Sequence, residues 1–321
     1  MSLIIDGFTH ILPKLFAEEF SLSHPTDELR EVTGLTYLSD IENRIRVMDK
    51  YKIDKQVLTL ARPSIWMNTP SDIALKMTRI GNDAVAKAAN QFRDRFIGVG
   101  TLPILTKEFM PEFDRCVDEL GMAGIQIFSN IEGRNLDDLE FRPFFAKANS
   151  TRTPIWIHPQ LQEGWSQEFL LDKIFGWPFD TTLAMARLVF SGIMESYPNL
   201  RMITHHMGGM IPHFSSRIKG IYDTRENAPR ANFAILSKDP LEYFKKFYGD
   251  TVLNGSAHAF ECGCKFFSSE HIIFATDYPY GPEKGDLWVK ETLHQISVSH
   301  LSQTEKDQIL GGNLLRVLER H

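Results

Sequence analysis

The sequence predicts an α/β protein folded as a (β/α)8 TIM barrel, and three observations predict it. Eight short segments rich in β-branched residues recur along the 321 residues, segments of helical period separate them, and each β segment is near-continuously apolar rather than alternating. Continuous apolarity is the pattern of strands buried on both faces of a parallel sheet. Eight strand–helix units favour a closed barrel over an open doubly wound sheet. No Gly-rich fingerprint follows the first strand, which weakens a nucleotide-binding open sheet further.

The expected strands are 3–8, 56–61, 96–102, 124–128, 154–158, 201–206, 251–254 and 272–276. Between them, 40–51 puts Ile41, Ile45, Met48 and Tyr51 on one helical face, and 80–92 is rich in Ala and polar helix formers. Segment 182–197 repeats Leu183, Ala186, Leu188, Val189 and Ile193 before Pro198 stops it. Ser302-Gln303-Thr304-Glu305 reads as a capping box opening a helix that halts at Gly311-Gly312. The connections 12–38 and 160–182 are long, and aromatic residues gather there: Trp165, Phe169, Phe175, Trp177 and Phe179. Long aromatic loops after strands one and five would lie over the barrel mouth, where they exclude water or form a dimer contact. Without an internal repeat, low-complexity stretch or linker, residues 1–321 are expected to form a single domain.

Composition narrows the function. With 43% hydrophobic and 24% charged residues the chain is an ordinary soluble globular protein with a sizeable core. A net charge of −6, with Lys245–Lys246 as the longest basic cluster, argues against nucleic acid as a partner. Cys116, Cys262 and Cys264 make no disulfide framework and suit a reducing compartment; Cys262-Gly-Cys264 lacks a second pair at zinc-ribbon spacing and reads as buried thiols. No basic-then-apolar leader opens the sequence, and no apolar run approaches the ~20 residues that span a bilayer. A cytoplasmic protein is expected.

Polar residues able to hold a metal fall at the strand ends. Strand one ends Asp6-Gly7-Phe8-Thr9-His10, strand five at His158-Pro159, strand six at Thr204-His205-His206, and strand eight runs into Asp277-Tyr278-Pro279. In a barrel those ends converge on one rim, and imidazoles with a carboxylate are the donors a borderline cation such as Zn²⁺ prefers. A single histidine at a strand end is commonly structural, and Asp277 before Tyr-Pro could simply cap a turn. Four such residues, each just past an apolar strand, point jointly to a metal-centred site.

These residues also carry a resemblance. The chain resembles, essentially end to end, the decarboxylase branch of the amidohydrolase superfamily, the aminocarboxymuconate-semialdehyde and γ-resorcylate decarboxylases. The matching segments are Ile5-Asp6 through His10-Ile11-Leu12-Pro13, Arg44-Ile45-Arg46-Val47-Met48-Asp49, Ile157-His158-Pro159, Tyr197-Pro198-Asn199-Leu200-Arg201, His206 with its Gly pair, Thr276-Asp277-Tyr278-Pro279 and Ile309-Leu310-Gly311-Gly312-Asn313. The resemblance implies His10, His158 and Asp277 as ligands of one divalent metal ion, zinc first and manganese second. It implies His206 as acid/base, because the six-residue step to Pro212 matches the family's spacing better than His205 does, with adjacent His205 the alternative and otherwise turned toward the helices. In hydrolytic variants Asp277 and His206 together would manage the proton of a water. Arg217 matches an arginine that reaches a substrate carboxylate across a dimer interface, and reads equally as a surface helix charge. The family's strand-one pair is His-x-His; here its first member is Phe8, which cannot ligate. Asp6 shares the inward side by period-two alternation but lies ~6–7 Å deeper, an unsuitable replacement.

The expected function is non-oxidative decarboxylation of an unsaturated or aromatic carboxylic acid by a homodimer. Two alternatives stay open: hydrolysis of a lactone or amide, or hydration of an unsaturated dicarboxylate, on the same fold; and, because of Phe8, a barrel that has lost catalysis and serves as a binding protein.

Overall fold

The computed structural model describes residues 3–23, 36–61, 69–162 and 164–319. Its central sheet comprises β1 (Ile5–Ile11), β2 (Lys55–Leu60), β3 (Phe96–Gly98, resuming at Gly100–Thr101), β4 (Ile125–Phe128), β5 (Ile155–His158), β6 (Met202–Thr204), β7 (Tyr248–Asp250) and β8 (Ile272–Ile273). Each pairs in parallel with the next. Gly7 N–H donates to Phe274 O and Asp277 N–H to Phe8 O, which closes β8 onto β1. The barrel expected from the sequence is present. Its interior is filled by Val57, Val99, Trp156, Ile203, Val252 and Ile273, with Leu314 and Val317 of the Asn313–Leu318 helix packed against them.

Closure dictates the local structure of β1. Asp6 pairs with Gln56 but Thr9 with Leu58, so three steps on β1 match two on β2, and the chain bulges at Gly7-Phe8. A Cβ on Gly7 would lie 2.5 Å from Ile273 Cγ2 and 3.2 Å from Phe274 O, so only glycine lets the seam close. The bulge also corrects the expected alternation. Ile5 and Phe8 share the interior cluster, while Asp6 takes the other side. There its carboxylate accepts from Thr276 N–H at 3.0 Å, Thr276 Oγ1 at 2.5 Å and Gln56 Nε2 at 3.3 Å. Arg44, fully buried on the Ile41–Tyr51 helix, donates to Gln56 Oε1, Thr9 Oγ1 and His10 O. Burial pushes the Asp6 carboxyl up to about 7 against the pull of Thr276 and Arg44. Gly7→Ala should destabilise the protein by about 1–3 kcal/mol through overpacking at the seam; a thermal melt with an unchanged midpoint would contradict that.

Other boundaries moved for identifiable reasons. Strand seven was expected at 251–254 and lies at Tyr248–Asp250. Thr251 N–H still reaches Ile273 O, but Leu253 N–H then turns back to Thr251 O, ending the strand. The helix expected at 80–92 begins at Ser71, and that expected at 182–197 runs from Trp177 to Phe190 and breaks at Gly192 (φ 78°) before Ile193–Ser196. The capping box forms as expected, with Ser302 Oγ accepting from Glu305 N–H. The helical path does not halt at Gly311-Gly312, however, but continues through them into Asn313–Leu318. A Cβ at Gly311 would come within 2.2 Å of Leu3 O, so this glycine lets the helix pack on the entry to β1. Of the long 12–38 connection, residues 24–35 lie outside the described residues.

Candidate metal centre

β1, β5, β6 and the turn after β8 converge on one cluster. His10 Nε2 lies 3.0 Å and His205 Nε2 3.7 Å from Asp277 Oδ1. One donor atom from each of His10, His205 and Asp277 lies within 4.8 Å of the other two. His158 stands beside this trio, its ring 5.1 Å from that of His10 and 5.7 Å from that of His205. His206 touches His205 ring to ring at 4.3 Å, and its Nδ1 is buried without a hydrogen-bond partner among the described residues.

Arg217 is exposed on the Ser215–Asp223 helix and does not join the cluster. The expectation that His205 faces the helices is corrected. Ile203 lines the barrel interior, and His205, two residues on, points the same way, 2% exposed, with its ring 4.4 Å from that of Phe8.

Two histidines are fixed in one tautomer by their outer hydrogen bonds. Thr59 Oγ1 lies 2.9 Å from both Thr9 O and His10 Nδ1. A carbonyl only accepts, so the hydroxyl gives its single proton there and must receive one from Nδ1–H. His158 Nδ1 sits 2.7 Å from Pro159 O and is protonated for the same reason. In both neutral rings Nε2 therefore carries the lone pair. His10 Nε2 is buried, 3.0 Å from a carboxylate oxygen, and makes no hydrogen bond of proper geometry. Two lone pairs facing one another at that distance repel unless a cation lies between them. Burial lowers the affinity of His10 for a second proton, although Asp277 opposes this. The donor set therefore fits a divalent metal.

The electrostatics agree. Burial alone would raise the Asp277 carboxyl, but the neighbouring imidazoles of His10 and His205 hold it far below the usual carboxylate range. Burial and the neighbouring rings of His10 and His205 push His158 well below its ordinary value; burial and His205 do the same to His206. His205 is the exception. Burial would lower it, yet the Asp250 and Asp277 carboxylates raise it to about 10.

The backbone bends unusually at this rim. His206 (φ 53°), Met207 (φ 52°) and Asp277 (φ 61°) are left-handed without being glycine, a conformation that clusters at functional sites. Sequence reasoning missed Asp250, whose Oδ2 lies 2.5 Å from His205 Nδ1, and Thr59. Neither stands in a recognisable motif. Only the β2 and β7 registers bring them to the rim.

The sequence profile of the family described as Amidohydrolase matches residues 5–320. The 2-amino-3-carboxymuconate-6-semialdehyde decarboxylase of Dictyostelium discoideum is 30% identical over 99% of this chain and 92% of its own. The γ-resorcylate decarboxylase of Rhodococcus jostii (strain RHA1) is 28% identical over 76% of this chain and 78% of its own. Among solved structures, the 5-carboxyvanillate decarboxylase of Novosphingobium aromaticivorans DSM 12444, with bound manganese and 3-methoxy-4-hydroxy-5-nitrobenzoic acid, superposes with a TM-score of 0.84 at 24% identity. It covers 99% of this chain and 97% of its own. A rim of histidines and one aspartate on a closed parallel barrel, a profile spanning nearly every residue and a full-length relative at this identity lead to one conclusion: the chain belongs to the amidohydrolase family.

Proposed function

We propose that this protein is a metal-dependent carboxy-lyase that removes CO₂ non-oxidatively from an aromatic or unsaturated carboxylic acid. The observation that carries the reading is the cluster of Nε2 lone pairs facing Asp277 at the strand ends, in a family whose similar relatives are decarboxylases. His10, His158 and Asp277 would hold the ion, zinc or manganese, the latter being bound in the carboxyvanillate enzyme. When bound, the ion supplies a positive centre that fixes the substrate carboxylate and an adjacent oxygen.

The chain's own groups then handle the proton. His206, whose Nδ1 is buried without a hydrogen-bond partner among the described residues, would deliver the proton to the substrate carbon. A substrate carboxylate beside it would raise its affinity for that proton, as an opposite charge does for any buried histidine. The carbon gains the proton, the C–C bond breaks toward the ring, and its electrons restore the π system as CO₂ leaves. On the reverse path the carbon returns its proton to His206, while Asp277 stays anionic. Phe8, Phe128 and Tyr280 line the histidines with aromatic surface suited to a flat conjugated substrate.

The same reading treats 1–321 as one domain and the protein as a homodimer. Phe169, Leu170, Ile174 and Phe175 after β5 and Met210, Phe214 and Ile221 after β6 are exposed apolar residues. Gly209 and Met210 lie against Pro178 and Thr182, which joins the two loops into one surface. A partner docked there would carry its own Arg217 toward this mouth. Three free cysteines support a reducing compartment, the cytoplasm. Among the described residues no helix is long and apolar enough to cross a membrane.

CO₂ release from γ-resorcylate, 5-carboxyvanillate and 2-amino-3-carboxymuconate-6-semialdehyde tests the function. His206→Ala should lower turnover by about 10²–10⁴-fold while retaining the metal. His158→Ala should lose the metal and the activity together. Equal metal loss in both variants would refute the division of roles.

A further inference from the structure

Phe8 offers the site no donor atom, and its ring instead packs against His205. The ring centroids are 4.4 Å apart at 47°, a tilted contact that fixes one face of the imidazole. His158 also borders this ring, its centroid 5.7 Å away at 28° and 6.2 Å from that of Phe8. The edge is fixed too. His205 Nδ1 is 2.5 Å from Asp250 Oδ2, while Asp250 Oδ1 accepts from Val252 N–H at 3.1 Å and Met207 N–H at 3.4 Å. A carboxylate held by two backbone donors that in turn orients an imidazole is the outer support of a metal-binding histidine. With Nδ1–H committed to Asp250, Nε2 faces Asp277 Oδ1 at 3.7 Å, and the donors of His10, His205 and Asp277 converge within 4.8 Å. His206 has no such support. Its backbone turns left-handed at φ 53° and its Nδ1 meets no protein acceptor among the described residues.

We infer that His205 is itself a ligand of the metal, filling the coordination place to which Phe8 contributes nothing, and that Asp250 and Phe8 are the residues that position it. The centre thus draws its histidines from β1, β5 and β6. His205 supplies a lone pair, His206 is left to move protons, and the apolar ring at position 8 acts as the platform that holds the β6 imidazole in place. The inference rests on the proposal above that the cluster holds a divalent ion.

Calorimetric titration of chelator-stripped protein with Co²⁺, followed in parallel by its visible d–d absorption, tests this without substrate. His205→Ala should weaken Co²⁺ binding by about 100-fold or more, and Asp250→Asn, which keeps every ring in place, by about 10–100-fold. Both should change the d–d bands, whereas His206→Ala should leave affinity and bands as in the wild type. Phe8→His in the His205→Ala background should recover at least about tenfold of the lost affinity, because a donor returns to the same place. Near-UV circular dichroism of each metal-free variant checks that it is folded, and Asp250→Asn carries the test should His205→Ala fail this control. Wild-type affinity and bands in His205→Ala, or in Asp250→Asn where that variant carries the test, overturn the inference and leave the metal centre standing. No uptake of Co²⁺, Mn²⁺ or Zn²⁺ by the wild type overturns both.

Discussion

Asp277→Asn is expected to reduce CO₂ release by about 10³-fold or more. The amide keeps the size and the left-handed turn at φ 61°, since Asn tolerates that region as Asp does. It removes the charge that His10 Nε2 at 3.0 Å and His205 Nε2 at 3.7 Å both face. Those nitrogens lose the anionic neighbour they share, so a cation held between them would lose an oxygen donor. Metal content measured on the same preparation should fall, and excess Mn²⁺ or Zn²⁺ should restore little of the rate. A variant that keeps both metal and rate would remove Asp277 from the centre.

Arg44→Ala is expected to cost about 3–5 kcal/mol of stability, the figure for breaking a buried charged network by removing one member. Arg44 is 1% exposed, and its guanidinium holds Thr9 Oγ1, Gln56 Oε1 and the carbonyl of His10 together. Gln56 passes its amide on to Asp6, whose carboxylate anchors Thr276. Without the cation only hydrogen bonds from Thr276 and the Phe8 backbone offset the burial of Asp6, whose carboxyl already stands near 7. The sign follows. An acid whose folded value lies above its unfolded one costs stability as pH rises through that window, so the loss should be greater at pH 8 than at pH 6. Urea unfolding at the two pH values measures this. Arg79→Ala, at a half-exposed ion pair with Glu112, serves as the contrasting variant.

The barrel was legible because seven of its strands carry apolar runs that the period reveals. β7 was misplaced because Tyr248-Gly249-Asp250 carries none. A Cβ on Gly249 would meet Met207 Sδ at 2.9 Å, and Asp250 is buried to hold His205, so both residues answer to partners some forty residues earlier. At the centre, His10, His158 and Asp277 were readable as polar residues ending apolar strands. Asp6 misled because alternation assumes an unbroken pleat, and the seam forces a bulge that no local sequence announces. His205 was within reach, since Ile203 and His205 share a face. The spacing from His206 to Pro212 favoured its neighbour instead.

The seam between β8 and β1 links assembly to occupancy. Asp277 N–H bonds Phe8 O, and the adjacent Thr276 is bound to Asp6. Parting the first and last strands would therefore dismantle the centre, and an ion clasped by Asp277 and His10 would fasten the two ends of the sheet. By mass action, an ion present at a hundred times its dissociation constant adds about 2.7 kcal/mol to stability. The cylinder would be expected to melt at a temperature that climbs with the logarithm of free metal.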